Sequence, residues 1–136
     1  MAKLEVVWVD DDSPKTQRDY GDLRVTTVQT VAEAEKIFEH MKDGPNWVIM
    51  DLIVPQGGWG NNYTMVPGID YIKEIKQRYG EKVGIGVFTA FGSDERRAAA
   101  EKAGATFFYE KTRNGFLDVL DELKRKERLN VAEKDI

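Results

Sequence analysis

The 136 residues predict a single α/β domain in which a parallel β-sheet is covered by helices on both faces. Three observations carry that prediction. Five short apolar runs recur at strand length, rich in β-branched and aromatic residues. Segments with helical periodicity separate them. Most of the runs are predominantly apolar instead of strictly alternating with polar residues, as strands buried on both faces are. The implied architecture is (βα)5.

The first strand is Leu4 to Val9, which runs into Asp10-Asp11-Asp12. Ser13-Pro14 then offers a helix start, but Ser13 to Asp22 has almost no apolar stripe beyond Tyr20. Any first helix is therefore short, and one sheet face is expected to be thinly covered. Arg24 to Val28 is the second strand. Val31, Ala34, Ile37, Phe38 and Met41 recur three or four apart and make a helix. Thr30 with Glu33 forms a capping box at its start, and Gly44-Pro45 ends it. Trp47 to Met50 is the third strand and leads into Asp51. Pro55 to Pro67 is a Gly/Asn-rich loop that fits neither period, and long loops in small domains are usually functional or disordered.

A second helix carries Ile69, Ile72 and Ile75 and stops at Gly80; the fourth strand is Val83 to Phe88. Ser93-Asp94-Glu95 opens a third helix, with acid where the helix dipole favours it. Thr106 to Tyr109 is the fifth strand. The last helix places Phe116, Leu117, Leu120 and Leu123 on one stripe and frays into Lys124 to Arg128, a basic run read as a solvated helix end. The domain is expected to span 1–128, with a tail over 129–136 in which Leu129, Val131 and Ile136 could pack on the thin face or against a second copy.

Composition narrows the function. Cysteine is absent, which excludes a disulfide scaffold, thiol catalysis and a cysteine metal site. A single histidine, His40, argues against a His-rich metal site. The formal charge of -4 gives no basic footprint for nucleic acid. No apolar stretch approaches the roughly 20 residues needed to span a bilayer, and the first residues lack a signal-peptide core. A soluble, cytoplasmic protein is the expectation.

In parallel α/β sheets ligands sit beyond the carboxyl ends of the strands. Strand one ends in Asp10-Asp11-Asp12, strand three in Asp51 and strand four in Thr89, and strand five runs into Lys111. Each alone has an ordinary structural explanation as a turn residue, a strand former or a solvated lysine. Together they bring carboxylates, a hydroxyl and an ammonium to one rim. Carboxylates about 4 Å apart in an effective dielectric near 20 repel by about 4 kcal/mol per pair, so a cation belongs among them. Oxygen ligands without His or Cys favour a hard ion, and a sparse set completed by water and phosphate oxygens suits Mg²⁺. Beside such an ion an Asp can attack a phosphoryl group while the hydroxyl and ammonium contact its other oxygens. No GxxxxGK[ST] loop is present, so the phosphate is expected from a donor protein or a small phosphodonor and not from bound ATP.

The segments VVWVDDD, WVIMDLIVP, GVFTA and FFYEK, in that order, resemble the receiver domain of two-component response regulators, over nearly the whole chain. The resemblance implies a doubly wound, flavodoxin-like sandwich with a five-stranded parallel sheet in the order 2-1-3-4-5. It implies Asp51 as phosphoacceptor, with Mg²⁺ bound by Asp10, Asp11, Asp51 and the backbone carbonyl of Ile53. Thr89 and Lys111 become the switch and phosphate-pairing residues, and Phe108 the switch aromatic whose rotamer follows Thr89. Asp12 is read as a nearby charge only. Ile53 and Phe91, two positions beyond Asp51 and Thr89, are apolar and would restrict attacking water.

Four features depart from the family pattern. Thr112 replaces the usual cis-proline after the lysine, and a cis bond without proline costs about 3 to 4 kcal/mol, which leaves Lys111-Thr112 cis or trans. The Pro55 to Pro67 loop is an insertion, in which Trp59 and Tyr63 could cover the site, meet the donor or pack. The first helix is truncated. No output domain follows the last helix, so a stand-alone, single-domain regulator is expected. Its partners would be a sensor histidine kinase or histidine phosphotransfer protein and an unidentified target, the protein itself being a monomer or weak homodimer. It would be no enzyme beyond its own phosphorylation and dephosphorylation. Two other readings remain: a receiver-like interaction module that is never phosphorylated, and a haloacid-dehalogenase-like phosphatase built on Asp10-Asp11-Asp12, which leaves Asp51 idle.

Overall fold

The computed structural model describes residues 3–57, 65–112 and 114–134, with 128–134 as backbone alone. The chain runs β1 (Leu4–Val9), β2 (Thr16–Tyr20), β3 (Leu23–Val28), α1 (Val31–Glu39), β4 (Trp47–Met50), β5 (Ile53–Pro55), β6 (Met65–Pro67), α2 (Gly68–Tyr79), β7 (Gly84–Thr89), α3 (Asp94–Ala103), β8 (Phe107–Glu110) and α4 (Gly115–Lys134). The main sheet has the order β2-β3-β1-β4-β7-β8. Its four pairings from β3 to β8 are parallel, and these five strands stand in the order expected of a doubly wound fold.

The sixth strand corrects the sequence reading. Ser13 to Asp22 holds no helix: Thr16–Tyr20 pairs antiparallel with β3, from Thr16 opposite Thr27 to Tyr20 opposite Leu23. Thr16, Arg18 and Tyr20 alternate with Gln17 and Asp19, which is a strand period and not a helical one. Gly21 opens the two-residue connection at φ +63, where a hairpin of this length favours glycine. Charged side chains along β2 suit a sheet edge, since they discourage edge-to-edge pairing. Four α-helices remain among the described residues instead of five.

Two cores form, one on each sheet face, because successive side chains point to opposite sides. Val7, Val9, Val48, Met50, Ile85 and Val87 meet buried residues of α1, α2 and α3. Val6, Trp8, Leu23, Val25, Trp47 and Ile49 meet Val119, Leu120 and Leu123 of α4. The second face is therefore not bare: a single helix and a set of aromatic rings bury its sheet residues. Phe116 packs 4.9 Å from Trp8 and 5.6 Å from Tyr20, centroid to centroid. On α4 the stripe is Phe116, Val119, Leu120 and Leu123, whereas Leu117 is 58% exposed. Spacing three and four from Phe116 reaches Val119 and Leu120, and Leu117 falls on the next flank.

Helix ends follow local chemistry. The Thr30 hydroxyl accepts from Glu33 N–H at 3.1 Å, and the Glu33 carboxylate accepts from Gln29 N–H at 3.1 Å, one residue before the cap. α1 closes at His40, where amides bond back to Ile37 and Phe38, earlier than Gly44-Pro45. Gly80 closes α2 and Ser93 caps α3. α4 continues to Lys134 without the fray expected at Lys124 to Arg128, and no helix among the described residues is long and apolar enough to cross a membrane. The ends of the Pro55 to Pro67 loop are ordered as a ribbon, β5 pairing antiparallel with β6 from Ile53–Pro67 to Pro55–Met65. Trp59 and Tyr63 lie outside the described residues.

One polar network ties α1 to α2. Glu35 accepts two hydrogen bonds from the Arg78 guanidinium, at 2.7 and 3.0 Å, and a third from the Tyr71 hydroxyl at 3.0 Å. Burial pushes the Glu35 carboxyl up, but Arg78 and Tyr71 outweigh it and hold the group below its ordinary 4.5. A carboxyl depressed in the folded state adds stability above its unfolded pKa and loses it as pH falls through the folded value. Glu35→Gln is therefore expected to unfold more readily than wild type at neutral pH, with the difference shrinking in acid as the pH falls below the ordinary glutamate value of 4.5. Urea melts at neutral and at acid pH check this; an equal difference at both contradicts it.

Candidate functional site

Asp10, Asp51 and Thr89 sit at the carboxyl ends of β1, β4 and β7, and Lys111 follows β8 by one residue. The sheet sets their spacing through its own ladder. Asp10 N–H bonds to Val28 O at 2.9 Å, Asp51 N–H to Val9 O at 3.3 Å and Lys111 N–H to Thr89 O at 2.8 Å. Asp10, Asp51 and Thr89 are 1%, 3% and 0% exposed, an unusual burial for two neighbouring carboxylates.

The Lys111 ammonium compensates them. Its Nζ lies 2.9 Å from Asp10, 2.9 Å from Asp51 and 3.2 Å from Asp12. Asp51 Oδ2 accepts from Lys111, while Oδ1 accepts from the Thr89 hydroxyl at 2.6 Å and from its neighbour's Leu52 N–H at 2.7 Å. Asp10 Oδ1 also accepts from Asp12 N–H at 2.9 Å, which folds the acidic turn back on itself. The Lys111–Thr112 peptide bond is trans.

Burial pushes the Asp10 carboxyl above its ordinary 3.8, and the charge of Asp51 adds to the push; Lys111 and the Asp12 amide act against it without cancelling it. For Lys111 burial acts downward, but hydrogen bonds to Asp10 and Asp51 outweigh it and raise the ammonium's pKa. Lys111 is thus a full positive charge at neutral pH.

Asp10, Asp11, Asp12 and Asp51 each offer a carboxylate oxygen within 4.8 Å of the others. This all-oxygen donor set fits a hard divalent cation. Ile53, the expected carbonyl donor, opens β5 opposite Pro67, which has no N–H with which to occupy that carbonyl. Phe108 faces the α1–α3 side in the apolar core, its ring 5.2 Å from the Arg97 guanidinium. Ile53 and Phe91 stand at the rim, 40% and 47% exposed.

Two participants were missed in the sequence. Asp12, read as a bystander, bonds the same ammonium as Asp10 and Asp51; the third consecutive Asp was the available signal. Gly68 opens α2 with its N–H 2.6 Å from Leu52 O, and a Cβ there would overlap the Asp51 carbonyl oxygen and lie 2.8 Å from Leu52 Cα. Nothing in the sequence pattern marked it as part of the site.

No protein-family model and no curated protein sequence matches the chain. Solved structures do. The CheY-like receiver domain protein of Methanospirillum hungatei aligns with TM-score 0.67 at 17% identity over 99% of this chain and all (100%) of that one. The chain has the receiver-domain fold. A signal receiver domain from Vibrio parahaemolyticus aligns with TM-score 0.65 at 23% identity, over 96% of this chain and 98% of that one. The BeF3-activated receiver domain of Klebsiella pneumoniae RstA aligns with TM-score 0.62 at 18% identity, over 88% and 95%. The likeness is one of architecture, and in this receiver fold the antiparallel β2 occupies the stretch of chain where the sequence reading expected a short first helix.

Removing the ammonium leaves the two carboxylates buried and uncompensated, which typically costs about 3 kcal/mol or more. Lys111→Met is expected to lower stability at pH 7 by roughly that amount. Added Mg²⁺ is expected to raise the melting temperature of the variant more than that of wild type, since the ion takes over the missing charge. Equal shifts in calorimetry contradict this.

Proposed function

We propose that the chain is a response regulator receiver that takes a phosphoryl group on Asp51 from a histidine kinase or histidine phosphotransfer protein and signals through changed protein contacts. The observation that carries the reading is the convergence of the Thr89 hydroxyl and the Lys111 ammonium, both within 3 Å of the buried Asp51 carboxylate. A phosphatase using Asp10-Asp11-Asp12 would leave Asp51 without a task, although it is the most densely bonded carboxylate of the site.

An Asp51 carboxylate oxygen attacks phosphorus; the new O–P bond forms as the bond to the donor, the P–N bond of a phosphohistidine, breaks and the imidazole leaves. Asp10, Asp11, Asp51 and the Ile53 carbonyl would hold Mg²⁺, which when bound would supply neutralising charge for the phosphoryl oxygens. Lys111 and Thr89 then exchange contacts with the carboxylate for charge-assisted contacts with the phosphate. In the unmodified chain Thr89 already bonds Asp51 and Phe108 is already buried. Phosphorylation therefore locks an arrangement that is present beforehand. A full switch from mostly off to mostly on takes about 5.5 kcal/mol of differential stabilisation, and a partly formed on-state needs less.

Acetyl phosphate with Mg²⁺ is expected to add one phosphoryl group, read by intact mass, and Asp51→Asn to abolish it. No Mg²⁺-dependent gain, or the same gain in Asp51→Asn, refutes the proposal. The apolar rim residues Ile53 and Phe91 exclude ordered water from the acyl phosphate. Replacing both with polar residues is expected to speed loss of the label severalfold in the same assay; an unchanged lifetime removes them from that role.

A further inference from the structure

On the α4 side of the sheet, between β2 and the start of α4, lies a cleft of about 330 Å³ that the phosphoryl chemistry does not use. Its walls are the rings of Trp8, Tyr20, Phe88 and Phe116. These rings are already set edge-on or tilted to one another: Trp8 and Phe88 are 5.4 Å apart at 84°, and Trp8 and Phe116 are 4.9 Å apart at 32°. The cleft exists because β2 is a strand. A helix in this stretch would cover the sheet here, whereas a flat edge strand turns Thr16, Arg18 and Tyr20 toward α4 and leaves the space above them open.

The lining carries one charge. Arg18 is exposed on the edge strand, and among the described residues no carboxylate lies within ion-pair distance of it. The other polar groups of the lining are hydroxyls, those of Ser13, Thr16, Thr27 and Tyr20. Aromatic walls favour a planar guest, which they meet edge-to-face or offset. A volume near the lower end of the roughly 300–1,000 Å³ range of small-molecule sites limits that guest to one or two fused rings. An unpaired guanidinium at the mouth presents a planar fork that matches a carboxylate.

We infer that this cleft is a binding site for a small planar aromatic carboxylate, with its ring laid against the half-buried Tyr20 and Phe116 over a floor of buried Trp8 and Phe88, and its anionic group at Arg18. The site does not depend on phosphorylation of Asp51. A flexible peptide or an aliphatic acid fits less well, since neither fills a space bounded by ring faces.

The test uses naphthoate and its neutral isostere naphthamide, titrated against the full chain by NMR. Naphthoate is expected to bind saturably, with shifts centred on the Trp8 indole and the Thr16 and Thr27 amides, and roughly tenfold more tightly than naphthamide, as one charge-assisted contact supplies. Arg18→Gln is expected to erase that preference, and Thr16→Trp, which fills the cleft from the edge strand, to abolish binding of both. Absence of saturable binding overturns the inference. So does equal affinity of wild type for the two probes, undiminished binding to a folded Thr16→Trp, or a second copy of the chain found in the cleft by sedimentation and cross-strand NMR contacts. If Thr16→Trp does not fold, the comparison of the two probes on wild type and Arg18→Gln still decides.

Discussion

The arrangement rests on one electrostatic constraint: two carboxylates buried side by side at the ends of β1 and β4. Asp10 and Asp51 are kept there by a lysine that arrives from β8, and the sheet must hold β1, β4, β7 and β8 in fixed register for its ammonium to reach both. A charge pair of this kind is weak evidence for stability, because desolvation offsets most of the attraction. Its value is the specificity it enforces. A slip of one residue in any of these strands would send the group to the opposite face and leave a bare charge in the core.

The same constraint bears on how the site would take a second positive charge. A hard cation among Asp10, Asp11 and Asp51 would compete with the Lys111 ammonium for the same oxygens, and its arrival would displace lysine contacts that already satisfy the carboxylates. Thr89 is placed to follow, since its hydroxyl already donates to Asp51 while also accepting from Phe91 N–H at 3.2 Å. The loop beyond Asp51 is tied into this region through its ordered stem. Gln56 O accepts from Ala32 N–H at 2.8 Å at the start of α1, and Gly57 at φ +68 lies where any Cβ would press on Thr30. A change at the acidic rim is thus mechanically close to the α1 cap.

Much of this was legible in the sequence wherever the signal is local. Short, mostly apolar runs marked the five parallel strands, a Thr30/Glu33 pair marked the start of α1, and Gly80 marked the end of α2. Where reading failed, a competing local rule won. The segment from Thr16 to Tyr20 was judged as a poor helix because it has no stripe, although its period-2 alternation and the following Gly21-Asp22 already described a hairpin edge. Leu117 was placed on the buried stripe because it is apolar, while Val119 holds that position by helical geometry. Asp12 reads as a nearby charge because it follows the acidic pair, yet the turn after β1 folds its carboxylate onto the same ammonium.

The sequence by itself determined which chemical groups end each strand, and therefore that acids, a hydroxyl and an ammonium would collect at one edge of a parallel sheet. It determined this because strand identity and strand ends depend on neighbours a few residues away. Only the tertiary structure decided that Lys111 serves three carboxylates at once, that Gly68 must be small because Asp51 stands against it, that Glu35 ties Tyr71 and Arg78 across two helices, and that an edge strand leaves an aromatic cleft beside α4. Each of these joins residues many positions apart, and their distances are set by sheet register and helix packing, which no local pattern encodes.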